Sequence, residues 1–183
     1  MPDLFGAPAV AGLTSALEII TPDEERDLIA RIDAQALAPF RFQGWLGKRL
    51  TTSFGSRYDF DKGKVEPAEP IPGWLLPLRD RAAAFAGLDS AALGQALLIR
   101  YDPGAGIGWH RDRPIYDRVI GISLGEPATL RLRRRAARGF ERASLPLAPR
   151  SIYCLAGEAR HEWEHSIVEM TRTRWSITFR SLA

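Results

Sequence analysis

Cysteine, lysine and histidine are scarce in this 183-residue chain, and each scarcity narrows what the protein can do. The one cysteine, Cys154, cannot form an intramolecular disulfide. A disulfide-stapled secreted fold is therefore excluded, and a buried structural thiol in a reducing compartment is expected. No uninterrupted apolar run reaches membrane-spanning length, and the start MPDLFGAPAVAGL lacks the basic segment of a secretory signal. The cytoplasm is the default expectation, without membrane contact and with no obligate protein partner evident. Lysine stands only at positions 48, 62 and 64, so nearly all positive charge is arginine. The histidines are three, His110, His161 and His165, and any imidazole-based metal site must draw on them.

What is present is ordinary for a globular protein: 45% hydrophobic and 26% charged residues, net charge +3 and a sequence pI near 9.3. The length suits one domain with a sizeable core, and no repeat or composition break divides it. Arginine-rich surfaces suit phosphate contacts, because the planar guanidinium donates two parallel hydrogen bonds. A genome that encodes Arg in place of Lys explains the composition equally well. The densest cluster is Arg131, Arg133, Arg134, Arg135, Arg138 and Arg142, flanking a hairpin turn at 136–139 with a solvated basic tip.

Local patterns predict α+β architecture. Thr21-Pro22-Asp23-Glu24 reads as a capping Thr, Pro at the first helical position and Glu at the third. Leu28, Ile29, Ile32 and Leu37 extend that helix to about residue 38, and a second helix is expected over about 74–86. Between them lie short strands and turns and a Pro-rich connection. Beyond residue 91 strands are expected at 96–101, 119–124, 129–134, 143–147, 151–155 and 175–180. Helices first and strands afterwards predict helices packed on a mainly antiparallel sheet. Residues 1–90 would carry the helices and a lid over the site, and 91–183 the catalytic core.

Three stretches bear chemistry. HEWEH, residues 161–165, matches H-E-x-x-H, the pattern of a zinc hydrolase helix with Glu162 as general base. Its surroundings argue otherwise: SIYCLAG before it reads as a strand and turn, and SIVEMTRTRWSITF after it is rich in β-branched residues. In GWHRDRP, His110 and Asp112 are two apart and share one side of an extended segment. With one distant histidine they would make a two-His, one-carboxylate set that leaves coordination positions open. On the terminal strand, Arg174, Ser176, Thr178 and Arg180 alternate with Trp175, Ile177 and Phe179, so cationic and polar groups share one face. That face lines an anion site, or it is simply the solvated side of an edge strand.

The ordered motifs Tyr-x-Pro-Gly, Gly-x-Gly-Trp-His-x-Asp, Ser-Leu-Gly, Gly-Glu-Ala-Arg, Trp-x-His-Ser-Ile and Arg-x-Ser-x-Thr-Phe-Arg, running from about Phe54 to Leu182, resemble the AlkB family. These are Fe(II)- and 2-oxoglutarate-dependent dioxygenases on a double-stranded β-helix, or jelly-roll, that oxidise N-alkyl groups, mostly on nucleobases. The resemblance implies Fe(II), 2-oxoglutarate and O2 as cofactors and His110, Asp112 and His165 as catalytic iron ligands. It implies that Arg174 pairs with the distal carboxylate of 2-oxoglutarate, helped by the Tyr101 hydroxyl. Arg180 would lie near the chelating carboxylate and steady Asp112, and Ser176 would add a hydrogen bond where many members carry Asn. Ile99 stands where many members have another Asn on the cosubstrate.

On the substrate side, Tyr58 and Phe60 resemble the lid segment that stacks on a flipped base in repair members. Core filling under the lid accounts for them as well. Trp109 and Arg113 flank the first two iron ligands and are further substrate-side candidates; some repair members have an acid at the position of Arg113. Trp45 and Lys48 would contact a nucleic-acid backbone or form a plain hairpin. The expected partner is alkylated DNA or RNA. Oxidation of a protein or small molecule, zinc hydrolysis through HEWEH and a non-catalytic nucleic-acid-binding module are the alternatives.

Overall fold

The computed structural model describes residues 10–42 and 45–183, and the side chains of 42–46 lie outside that description. A short strand β1 (Leu13–Ala16) comes first, followed by helix α1 (Pro22–Asp33). Thr21 caps the helix as expected: its hydroxyl accepts from the Glu24 amide at 3.2 Å, and the Glu24 carboxylate accepts from the Thr21 amide at 2.8 Å. The helix stops at Asp33, earlier than the periodicity predicts, because Ala38 onward forms strand β2 (Ala38–Phe42) paired with β3 (Trp45–Phe54). Strand pairing outcompetes helix propensity there. The hairpin of β4 (Ser56–Asp59) and β5 (Lys64–Pro67) precedes helix α2 (Leu76–Ala86), which ends on Gly87 in the left-handed region (φ 68°).

The remaining strands are β6 (Gln95–Tyr101), β7 (Ile107–His110), β8 (Tyr116–Gly125), β9 (Ala128–Arg135), β10 (Phe140–Leu147) and β11 (Ile152–Leu155). A five-residue helix α3 (Gly157–His161) then leads to β12 (Glu164–Ile167) and β13 (Arg174–Leu182). Seven strands form one sheet in the order β1-β11-β8-β13-β6-β3-β2, and four form a second in the order β10-β9-β12-β7. All their pairings are antiparallel, giving the expected jelly-roll with helices on the larger sheet. Strands from the first ninety residues, β1, β2 and β3, also belong to the large sheet, so the catalytic layer draws on both halves of the chain.

Alternation along the strands sorts two cores. Ile177 and Phe179 of β13, with Ile120, Ile122 and Leu124 of β8 and Leu98 of β6, face the helices and pack with Leu28, Ile32, Leu78 and Ala82. Each is at most 7% exposed, and burying one such side chain contributes about 1.5–3 kcal/mol. The opposite parity faces the second sheet: Ile99, Tyr101, Val119, Leu130, Leu132 and Trp163 fill the space between the sheets. Cys154 is buried against the helices, as a structural thiol should be. Among the described residues no helix is long and apolar enough to cross a membrane.

Candidate active site

The mouth of the jelly-roll gathers the chemistry. His110 ends β7, and His165 lies directly across from it on β12. Asp112 follows two residues later, so three ligand atoms from separate parts of the sequence lie within 4.8 Å of one another. Asp112 Oδ1 is 3.5 Å from His110 Nε2 and 3.7 Å from His165 Nε2. His110 Nδ1 sits 2.8 Å from the Gly108 carbonyl; donation along that contact leaves Nε2 with its lone pair toward the cluster. Burial first, and then the neighbouring His110, push the His165 imidazole down to about 3, so it is neutral and able to coordinate at neutral pH. Burial opposes the charge on Asp112, but the Arg180 guanidinium and the two imidazoles outweigh it and hold the carboxyl well below the usual range. Two imidazoles with one ionised carboxylate suit a first-row divalent metal.

Arg180 donates from Nε to Asp112 at 2.6 Å and from Nη1 to the Gln95 side chain at 3.0 Å. Arg174 is arranged differently. It is 2% exposed and donates from Nη2 to the Ser123 hydroxyl at 2.8 Å, while its buried Nε and Nη1 have no hydrogen-bond partner among the described residues. Its guanidinium lies 5.1 Å from the centre of the Tyr101 ring, its cross-strand neighbour. A buried cation with unused donors costs several kcal/mol, and a carboxylate would offset that cost. Ser176 sits between Ile99 and Ser123 across the strands. The inner row thus offers a carboxylate seat at Arg174 and a metal seat beside Arg180, which fits a chelating dicarboxylate.

Some contributors carried no sequence signal. Tyr153 crosses Gly121, where any Cβ would lie 2.4 Å from its ring. Its hydroxyl is pushed up, chiefly by burial. A mid-strand glycine opposite a tyrosine was the available hint. Arg49 on β3 stacks 4.1 Å from the Phe40 ring centre, and its buried Nε has no hydrogen-bond partner among the described residues. Burial pushes its guanidinium down.

The lid candidates are brought together. Tyr58 and Phe60 meet edge-on at 4.9 Å, Phe60 meets Phe40 at 5.4 Å, and the Arg113 guanidinium lies 5.2 and 4.9 Å from the Tyr58 and Phe60 rings. Trp109 is set apart, since it lies on the face of β7 opposite His110, 5.0 and 4.4 Å from the guanidiniums of Arg131 and Arg133. Lys48 is exposed and 3.7 Å from Glu169; the side chain of Trp45 lies outside the described residues. HEWEH does not form a zinc helix. His161 ends α3 and His165 is in β12, while Glu162 is held by Arg134 at 3.0 Å.

Comparison with known proteins agrees with this geometry. Residues 26–180 match the 2OG-Fe(II) oxygenase superfamily, and the chain belongs to it. It is therefore a 2-oxoglutarate-dependent dioxygenase whose cofactors are Fe(II), 2-oxoglutarate and O2. Within that class it is AlkB-like. It is similar to the "Alkylated DNA repair protein ALKBH8 homolog" of Arabidopsis thaliana, 25% identical over 86% of this chain and 51% of that one. The chain thus spans about half the length of that relative. The solved structure of OsALKBH1 superposes with a TM-score of 0.73 at 14% identity, covering 93% of this chain and 96% of that one. A Pseudomonas putida prolyl-4-hydroxylase superposes with a TM-score of 0.63 at 18% identity over 94% and 93%. The shared fold alone does not choose the substrate.

Proposed function

We propose that this oxygenase removes N-alkyl groups from the nucleobases of DNA or RNA. His110, Asp112 and His165 hold Fe(II). Arg174, beside Tyr101, takes the distal carboxylate of 2-oxoglutarate, with Ser176 two residues further along the same face of β13. Arg180 orients Asp112 and lies beside the chelating end. When bound, iron and 2-oxoglutarate supply the oxidation: O2 is consumed, succinate and CO2 leave, and an oxidised N-methyl group departs as formaldehyde. The chain's own part is to fix the carboxylate and keep His165 neutral.

The observation that carries the substrate assignment is the aromatic cluster Phe40, Phe60 and Tyr58, flanked by Arg49 and Arg113 at the mouth. An extruded base loses its stacking in the strand, and aromatic rings beside guanidiniums replace it. The name of the Arabidopsis relative supports the same reading. Succinate and formaldehyde release should be measured with methylated single-stranded DNA, methylated RNA and no substrate. Stimulation by one nucleic acid, with formaldehyde equal to the extra succinate, is the expected result; no stimulation by either would overturn the assignment.

A further inference from the structure

The outer face of the four-stranded sheet, turned away from the metal ligands, carries its own pattern. Arg131, Arg133 and Arg135 alternate along β9, and Arg142 of β10 lies directly across from Arg133. The face holds one balancing carboxylate, Glu164, 2.7 Å from Arg133. Among the described residues Arg131, Arg135 and Arg142 have no ion pair. Like charges facing each other across a strand pair are destabilising, so Arg133 opposite Arg142 is a cost the fold carries. Rings partly offset it: Arg133, Arg135 and Arg142 lie 4.5, 5.0 and 5.8 Å from Phe140, and Arg131 and Arg133 flank Trp109. The rings hold the guanidiniums in place and neutralise no charge.

This face leads to the mouth of the site. Trp109 belongs to β7, the edge strand of the sheet, and is followed by His110. Arg113, four residues beyond Trp109, stacks on Tyr58 and Phe60 of the lid. Cations and rings therefore run from β10 across β9 to the β7 edge and on to the lid.

The geometry points to a track for the phosphodiester backbone of single-stranded nucleic acid, which holds the strand flanking the base that enters the site. The inference rests on the proposed nucleobase substrate and adds where the rest of the polymer lies. A ribbon of phosphates supplies the missing countercharge through paired guanidinium contacts, and the chain must be single-stranded for a base to leave it at the lid. An acidic protein or an anionic membrane would have no reason to follow the cations round the β7 edge to the aromatic lid.

The test uses a fluorescein-labelled oligothymidylate of about 20 nucleotides, followed by anisotropy between about 50 and 200 mM salt. Replacing two exposed arginines, Arg135→Gln with Arg142→Gln, should weaken binding about tenfold and flatten the log–log salt slope by about 1.4, roughly 0.7 for each lost phosphate contact. The charge-matched control, Arg26→Gln with Arg172→Gln on other surfaces, should bind as wild type does. In turnover, the track variant should raise KM for a 1-methyladenine-containing oligonucleotide and leave that for free 1-methyladenosine unchanged. Unchanged oligonucleotide binding by the track variant overturns the track. So does an equal loss in the control, or a loss confined to phosphatidylserine vesicles. If wild type turns over the methylated oligonucleotide while the track variant binds normally, dealkylation stands and the track falls. If wild type neither binds nor turns over any oligonucleotide, both fall.

Discussion

Arg174 and Arg180 stand six residues apart on the same face of β13, and their surroundings are opposites. Arg180 is spoken for: Asp112 and Gln95 both accept from it, and the carboxylate neutralises it. Arg174, almost fully buried, has a serine hydroxyl for one nitrogen and, among the described residues, no hydrogen-bond partner for the other two. A buried charge that is paired belongs to the folded structure, whereas one left unpaired marks where a ligand of opposite charge completes it. Under the proposed function the strand carries one arginine that holds Asp112 and another whose free donors suit the distal carboxylate of 2-oxoglutarate.

Removing each arginine should separate these roles by sign. Arg180→Met leaves Asp112 buried without its countercharge, so apo-protein stability should fall by about 3–5 kcal/mol in urea unfolding, and Fe(II) binding should weaken with it. Arg174→Met removes an uncompensated charge, so its urea midpoint should hold or rise. Its 2-oxoglutarate affinity should nonetheless drop about 100-fold by calorimetry, the scale of losing charge-assisted hydrogen bonds. Equal destabilisation by the two substitutions would break the comparison.

Acid sharpens the Arg180 side. His165 in the fold is pushed down to about 3, below its unfolded value of 6.5. As pH falls below 6.5 the unfolded chain binds a proton that the fold refuses, so stability is full above that pH and declines toward 3. The slope for this group is roughly 1.4 kcal/mol per pH unit. Asp112, also lowered, adds loss in the same direction below its usual range. Urea midpoints of apo-protein at neutral pH and at about pH 4.5 should differ accordingly, and His165→Gln should flatten the profile; parallel profiles for the two proteins would remove His165 as the cause.

Much of this was legible because alternation is a strong signal. The polar and apolar faces of β13 could be read from RWSITFR, and the structure sorts them to the inter-sheet space and the helix layer. The capping box at Thr21 was equally plain. Strands β7 and β12 were not, since four residues each are too few for a period to show; β12 is a strand because it lies between β9 and β7 and pairs with both, and β7 because it pairs with β12. Gln95, Ser123 and Tyr153 were silent for a related reason. A Gln, a Ser and a Tyr within strands have no local mark, and their roles arise from what lies across the sheet. The placement of Trp109 away from His110 follows from the period-two rule itself, since adjacent strand residues point to opposite faces.

The smallest expected effect concerns His161, and it separates two readings of one five-residue motif. His161 is half-exposed at the end of α3, with its Nε2 3.8 Å from an Asp117 oxygen. His165, four positions on, is buried in β12 facing His110. In a zinc helix the two would act as a pair, and losing either would remove the metal. Here a helix end and a strand divide them, and Glu162 between them is engaged by Arg134. His161→Ala should therefore keep Fe(II) binding and 2-oxoglutarate turnover within about twofold of wild type, with a stability change of no more than about 0.5 kcal/mol, as for an ordinary surface substitution. His165→Ala should abolish both binding and turnover. A large loss of bound Fe(II) in the His161 variant would mean that the imidazole on α3 reaches the metal, and that the site is not closed by His110, Asp112 and His165.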